Sequence, residues 1–218
     1  MSPKSFLLSS ELHDYLIGHS TPIDDVARRL IEQTAALGAV AGMQAAPEQG
    51  ILLTQLTRLI GARNAVEVGT FTGYSALCIA RGLADGGRLL CCDVSEEWTA
   101  LGRMAWEDAG VSDRIDLRIA PAIDTLRALP PDPTIDLAFI DADKGGYADY
   151  VEQVVPRLRP NGLLLLDNTL WSGAVIDAGV QDANTVAIRA VNDLVAADSR
   201  LTTVLLPISD GLTLSVRN

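Results

Sequence analysis

Two acid-ended segments carry the residues best able to do chemistry. In IDLAFIDADKGGY an apolar run over residues 135–140 stops at Asp141, Asp143 and Lys144. In LLLLDNTLW a second run, 163–166, stops at Asp167 and Asn168. The stretch between them has helical character and closes on Pro160-Asn161-Gly162, so the whole reads as a strand–helix–strand unit. If the two strands are parallel, Asp141 and Asp167 emerge at the same sheet edge. Open α/β sheets place ligands beyond that edge. Two carboxylates and an amide oxygen converging there suit a hard divalent cation such as Mg²⁺, with Ca²⁺ and Mn²⁺ as alternatives. A strand-terminal Asp also serves as a helix cap or a turn residue. Two neighbouring strands that both end in acid-plus-polar clusters favour a site over two unrelated caps.

A second candidate precedes these. The segment Glu67-Val68-Gly69-Thr70-Phe71-Thr72-Gly73-Tyr74-Ser75 runs from a short strand into a helix. Such a turn lets a ligand approach the backbone at a helix start. Glu67 stands where a dinucleotide fingerprint has its first glycine, and its carboxylate would repel a pyrophosphate. A cationic, phosphate-free cofactor fits instead. S-adenosylmethionine has an amino group for an acidic turn and a carboxylate for hydroxyls such as Ser75. Asp93 ends the next strand, where a carboxylate is expected to accept hydrogen bonds from both ribose hydroxyls. Glycine-rich turns of this kind also arise from packing alone.

Both sites require alternating elements. Strands are expected at 65–68, 88–92, 115–119, 135–140 and 163–166. Helices are expected at 73–83, 96–109, 122–129 and 182–197. The last two strands, 201–208 and 212–216, flank Ser209-Asp210-Gly211, a hairpin signal. The sum is an α/β fold whose sheet is doubly wound, mostly parallel and seven-stranded, with an antiparallel C-terminal hairpin. Before it, two helices are expected over 9–37, the second starting at Thr21-Pro22. Residues 38–44 read as a flexible connector. A third helix runs from Pro47 to about Ile60 and would bury Leu52, Leu53, Leu56 and Leu59.

Composition excludes several classes. The 218 residues suffice for one domain, taken as 1–218 with residues 1–62 as N-terminal helices. The net charge of −11, with no Lys/Arg run, gives no footprint for nucleic acid or an anionic membrane. No apolar run reaches a membrane span, and MSPKSFLLSSELHDYL lacks the long apolar core of a signal peptide. The reading is a cytoplasmic chain whose three cysteines are reduced.

VEVGTFTGYSALCIA, CCDVSEEW, FIDADKGGY, LLLLDNTLWSG and PISDGLTL together resemble the cation-dependent O-methyltransferases. This is the caffeoyl-CoA and bacterial catechol O-methyltransferase group. The similarity runs from about Met43 to the C-terminus. It implies a Rossmann-like class I methyltransferase fold, S-adenosylmethionine and Mg²⁺ as cofactors, and a homodimer whose N-terminal helices contribute to pocket and interface. It also implies Asp141, Asp167 and Asn168 as metal ligands and Lys144 as general base beside the acceptor hydroxyl. Gln44, Glu67, Gly69, Thr70, Ser75, Asp93, Ala122, Asp141 and Asp143 would line the cofactor site. Lys144, Trp171 and Ser172 would meet the acceptor. Lys144 has the alternative of a salt bridge to Asp141 or Asp143, and Trp171 the alternative of core packing. The chain leaves the plant pattern at Gly145-Gly146 and Ser172, which favours a small catechol over caffeoyl-CoA. Methylation of hydroxylated uridine in transfer RNA is the neighbouring activity, and the acidic charge argues against it. A nicotinamide oxidoreductase fails on Glu67, and a non-catalytic binding protein fails on the metal set with Lys144.

Overall fold

The computed structural model describes residues 8–218. Part of the N-terminal stretch read for a signal peptide, residues 1–7, lies outside them. Among the described residues no helix is long and apolar enough to cross a membrane. Three helices lead the chain: α1 (Ser10–Gly18), α2 (Asp25–Ala35) and α3 (Pro47–Leu59). Then follow β1 (Asn64–Val68), α4 (Tyr74–Gly82), β2 (Arg88–Asp93), α5 (Glu96–Asp108), β3 (Ile115–Ile119), α6 (Ala122–Arg127) and β4 (Ile135–Ile140). The chain closes with α7 (Tyr147–Val154), β5 (Leu158–Leu166), α8 (Ala183–Ala197), β6 (Leu201–Leu206) and β7 (Leu212–Arg217).

The seven strands lie in the order β3-β2-β1-β4-β5-β7-β6. Pairing is parallel from β3 through β5, and β7 runs antiparallel to both β5 and β6. The predicted doubly wound sheet with a terminal hairpin is therefore borne out. β4 is buried along its whole length, and its residues alternate between two cores. Leu137 and Phe139 pack with Leu30, Leu53 and Leu77 on one face. Ala138 and Ile140 pack with Val151, Val154, Ile188 and Val191 on the other. This alternation follows from the twofold period of a strand. It also fixes register, since a one-residue slip would exchange the two faces. Cys78, Cys91 and Cys92 are buried and unpaired.

Several expected boundaries move, each for a local reason. The second helix starts three residues after Pro22, because the Asp24 carboxylate accepts the Ala27 N–H at 2.9 Å and caps it there. Residues 38–43 are a 3₁₀ turn rather than a loose connector. On α3 the buried stripe is Gln49, Gly50, Leu53 and Thr57, while Leu59 is 80 % exposed. Leu52 and Leu56 pack against the same core as Leu53, as expected, but at 100° per residue Leu59 faces away from it. Pro160-Asn161-Gly162 does not end the helix before β5 but lies inside the strand. Ile135 pairs with Leu158 and Leu137 with Leu163, so β5 carries a bulge there. The bulge is pinned by Arg159, which pairs with Asp136 and donates to the Ile60 carbonyl at 3.2 Å. Asp136 also accepts the Arg63 and Asn64 N–H groups at 2.7 and 2.8 Å.

Candidate active site

The site lies beyond the carboxyl ends of β1, β2, β4 and β5. Parallel pairing brings Asp141 and Asp167 to that edge together. Asp141 N–H donates to the Val68 carbonyl at 2.8 Å, and Asp167 N–H to the Ile140 carbonyl at 3.0 Å. Each carboxylate thus emerges one residue past a locked strand end. A cavity of about 930 Å³ opens there. Gln44, Gly69, Thr70, Ser75, Asp93, Ala122, Asp141, Asp143, Lys144, Asp167, Asn168, Trp171 and Ser172 all line it. Of the residues expected at the site, Glu67 stands apart: it is fully buried behind the wall. Residues 42–45 of the 3₁₀ connector line the cavity, whereas α1 and α2 do not. The connector, not the first two helices, forms that part of the roof.

Lys144 stands at the point where the acids converge. Its ammonium donates to Asn168 Oδ1 at 2.6 Å, Tyr147 Oη at 2.8 Å and Asp141 Oδ1 at 3.2 Å. These three bonds use all three of its donors. The Tyr147 ring lies 4.8 Å from Nζ and the Trp171 ring 5.7 Å, so the cation also sits over aromatic faces. Asp143 does not pair with Lys144 but accepts the Tyr150 hydroxyl at 2.6 Å. Asn168 adopts a left-handed backbone, φ 57°, which asparagine tolerates and which follows directly on the β5 strand end.

The two acids are electrostatically unsettled. Burial pushes the Asp141 carboxyl above its usual range, and Lys144 works against that shift. Burial, then the Asp141 charge, push Asp167 up to about 7. One ammonium does not balance two buried carboxylates that face each other. Their oxygens and the Asn168 amide oxygen form an all-oxygen donor set whose charge a hard divalent cation would complete. The residues present therefore fit such an ion.

The glycine turn is built for close approach. Gly69 has φ 88°, and a Cβ there would fall 1.9 Å from the Asp141 carbonyl oxygen. Only glycine lets the β1 turn cross the end of β4 so closely. Asp93 holds this turn: its Oδ2 accepts the Thr70 and Phe71 N–H groups at 2.9 and 2.7 Å, and its Oδ1 accepts Ser95 N–H at 2.8 Å. These bonds occupy three of about four acceptor positions on a carboxylate. Asp93 lines the cavity and keeps acceptor capacity for a further donor there. Gln44 Oε1, Thr70 Oγ1 and both Glu67 oxygens are buried without a hydrogen-bond partner. Buried orphans of this kind mark places where a ligand completes the bonding.

Glu67 titrates accordingly. Burial pushes it up to about 7, while the nearby Ser75 and Thr70 hydroxyls hold it down. A carboxyl whose folded pKa exceeds its unfolded value costs the fold stability as pH rises from about 4.5 past 7, because the folded state binds the extra proton. Glu67→Gln is therefore expected to raise Tm by several degrees at pH 8. The gain should vanish near pH 4.5, as a thermal melt series will register.

Sequence reasoning missed Tyr147 and Tyr150, which orient Lys144 and Asp143, and the cavity-lining pair Phe71 and Trp98, whose rings meet edge to face at 5.2 Å. An aromatic residue inside the glycine turn and a tryptophan in the first turn after Asp93 were the available signals. Gly145 and Gly146, where departures from the plant pattern fall, do not line the cavity. A Cβ on Gly146 would strike the Tyr150 ring at 2.6 Å, so that glycine answers to Tyr150. The loop after β5 has three consecutive left-handed residues, Trp171, Ser172 and Gly173. It is fixed from two sides. Asp210 Oδ1 accepts Ser172 N–H at 2.5 Å. Arg189 on α8 donates to the Ala174, Val175, Asp177 and Val180 carbonyls.

A sheet of this order, with a glycine turn after β1 and an acid closing β2, defines the class I methyltransferase fold. The chain belongs to the O-methyltransferase family, whose match covers residues 18–218. It is 39 % identical over 210 residues to a Dictyostelium discoideum protein named probable caffeoyl-CoA O-methyltransferase 2, covering 94 % of this chain and 91 % of the relative. It is 40 % identical over 173 residues to the Mus musculus catechol O-methyltransferase domain-containing protein 1, covering 78 % of this chain and 66 % of that one. The crystal structure of a Bacillus cereus O-methyltransferase in complex with SAH superposes with a TM-score of 0.87 at 31 % identity, covering 95 % of this chain and 97 % of that one.

Proposed function

We propose that this chain transfers the methyl group of S-adenosylmethionine to one hydroxyl of a small catechol-type acceptor, with Mg²⁺ or a similar divalent cation at Asp141, Asp167 and Asn168. One observation carries the reading: the acid–amide set and Lys144 share a single cavity with the Gly69–Thr70 turn. Relatives named for caffeoyl-CoA and catechol support the acceptor class, and a neighbour in complex with SAH supports the cofactor. A homodimer working in the cytoplasm completes the proposal.

The residues divide the work. When bound, the cation supplies positive charge that stabilises a phenolate at neutral pH. The orphaned oxygens of Gln44, Glu67 and Thr70 receive the amino-acid end of the cofactor, and Asp93 with Ala122 and Asp143 lines the rest of its site. Glu67 carries the charge complementary to its ammonium. Glu67→Gln, expected to stabilise the free protein, should accordingly weaken cofactor binding about tenfold or more, the worth of a charge-assisted hydrogen bond. Lys144 would hold the acceptor oxygen and, as the neutral amine left after its own proton has gone to solvent, take the acceptor's proton at Nζ. Trp171 walls the aromatic ring, and Ser172 borders it. The remaining rate comes from holding oxygen, methyl and sulfur in line.

The charge of the wall sets the acceptor class. Among the described residues that line the cavity Lys144 is the single Lys or Arg, against Asp93, Asp141, Asp143, Asp167 and Asp210. A coenzyme A thioester brings several phosphates that this wall would repel. A transfer RNA would meet a chain of net charge −11. The test is methyl transfer in Mg²⁺ to catechol, phenol, caffeoyl-CoA and transfer RNA, followed by product analysis. Catechol is expected to exceed phenol by at least about 10²-fold in kcat/KM, because a monophenol leaves one of the site's oxygen contacts unmade. A tenfold preference for caffeoyl-CoA, or methylated transfer RNA at low salt, would replace the proposed acceptor.

A further inference from the structure

Gln49 occupies a costly position. It lies in the first turn of α3 on that helix's buried stripe. It is 0 % exposed. Neither its Nε2 nor its Oε1 has a hydrogen-bond partner. A side-chain amide removed from water with both ends unpaired opposes folding. Leucine or methionine would fill the same space without that cost.

Its neighbour explains the retention. The Gln49 amide faces the carboxylate of Asp167. Asp167 is 2 % exposed and is held from two other directions. Its Oδ1 accepts the Asn168 N–H at 2.8 Å, and its backbone carbonyl accepts the Tyr147 hydroxyl at 3.2 Å. Those contacts come from its own loop and from α7. Gln49 arrives from α3, on the opposite side of the sheet end. Carboxylates that ligate metals are themselves fixed by outer hydrogen bonds, and those partners tune affinity by about 10- to 100-fold. An amide suits this place better than an acid, since it offers the carboxylate a donor without adding a third buried negative charge.

We infer that Gln49 is a positioning residue of the cation site, its amide turning the Asp167 carboxylate toward the ion. The inference rests on the proposed Mg²⁺ site. It also ties the N-terminal segment to the chemistry: α3 carries a group that the ligand set needs, beyond covering the sheet.

The test uses the full-length chain with Gln49→Met, and Gln49→Leu as a second variant of different shape. Three quantities are read: Mn²⁺ affinity by electron paramagnetic resonance, S-adenosylmethionine affinity by calorimetry, and Tm without added metal. The expected result is a Mn²⁺ Kd raised about 10- to 100-fold. The cofactor Kd should stay within about twofold, and the metal-free Tm should be unchanged or higher. A purely structural glutamine would show the reverse: a lowered Tm with Mn²⁺ affinity intact. That outcome in both variants overturns the inference while leaving the cation site standing. A wild-type chain that binds no Mn²⁺ would overturn the site and the inference together.

Discussion

Asp141→Ala is expected to remove at least about 10³-fold of kcat/KM in Mg²⁺ while the chain stays folded. The loss follows from what the carboxylate does. A bound cation is worth several kcal/mol of charge stabilisation at a reacting oxygen, and about 1.4 kcal/mol is a factor of ten in rate. The fold is spared because the backbone of Asp141 is anchored independently. Its N–H is held by the Val68 carbonyl, and its carbonyl packs against Gly69. Burial already opposes its charged form, so deletion relieves one of two crowded acids. S-adenosylmethionine binding should fall only severalfold. Initial rates with saturating cofactor, together with a thermal melt, measure both halves. Near-normal activity in the variant would remove Asp141 from the metal set.

Lys144→Met is expected to lower kcat by about 10²- to 10⁴-fold, the usual contribution of a positioned general base. Lys144→Arg should fail equally, since a guanidinium does not give up its proton. Cation binding should survive in both cases. In Lys144→Met it should tighten, because Nζ no longer claims Asp141 Oδ1 and Asn168 Oδ1. That pairing of lost turnover with retained or improved Mn²⁺ affinity separates a chemical role from an ion pair. A variant that binds both ligands and keeps full turnover would reduce Lys144 to the salt bridge it makes with Asp141.

The free enzyme thus has an internal competition. Lys144 is paired with two of the three oxygen-bearing groups proposed to hold the cation. Tyr147 keeps its ammonium within reach after those contacts are exchanged, through the 2.8 Å bond and the ring beneath it. The roof beside it is rigid rather than loose. Trp171 and Ser172 sit in left-handed backbone, a conformation that persists only where surroundings enforce it. Asp210 and Arg189 do the enforcing.

Much of this was readable from residues alone, and the parts that were not have a common cause. The strands that end in Asp93, Asp141 and Asp167 announce themselves, because a fully buried parallel strand is an unbroken apolar run that must stop at the ligand edge. Parallel order then brings the acids together, so the proposed metal set follows from sequence plus topology. The start of β5 was not legible. Pro160-Asn161-Gly162 has the chemistry of a turn, and only the distant Asp136–Arg159 pair makes it a bulge. Gln49 was hidden for a similar reason. Its significance depends on its nearness to Asp167, which helical spacing along α3 does not show. Glu67 is legible as the carboxylate that precedes the glycine turn. That it lies behind the cavity wall is a matter of strand alternation two residues before Gly69. Asp93 lines the cavity as expected, and the bonds by which it also holds the turn, to the Thr70 and Phe71 N–H groups, depend on backbone geometry that residue types do not show.

The most direct measurement of the central claim is methyl transfer from S-adenosylmethionine to catechol by metal-stripped protein, with Mg²⁺ added back against an excess of chelator. Activity that rises from background in proportion to free Mg²⁺ is the predicted result, with the increase absent in Asp141→Ala. Undiminished turnover in chelator by the stripped wild-type chain would contradict it.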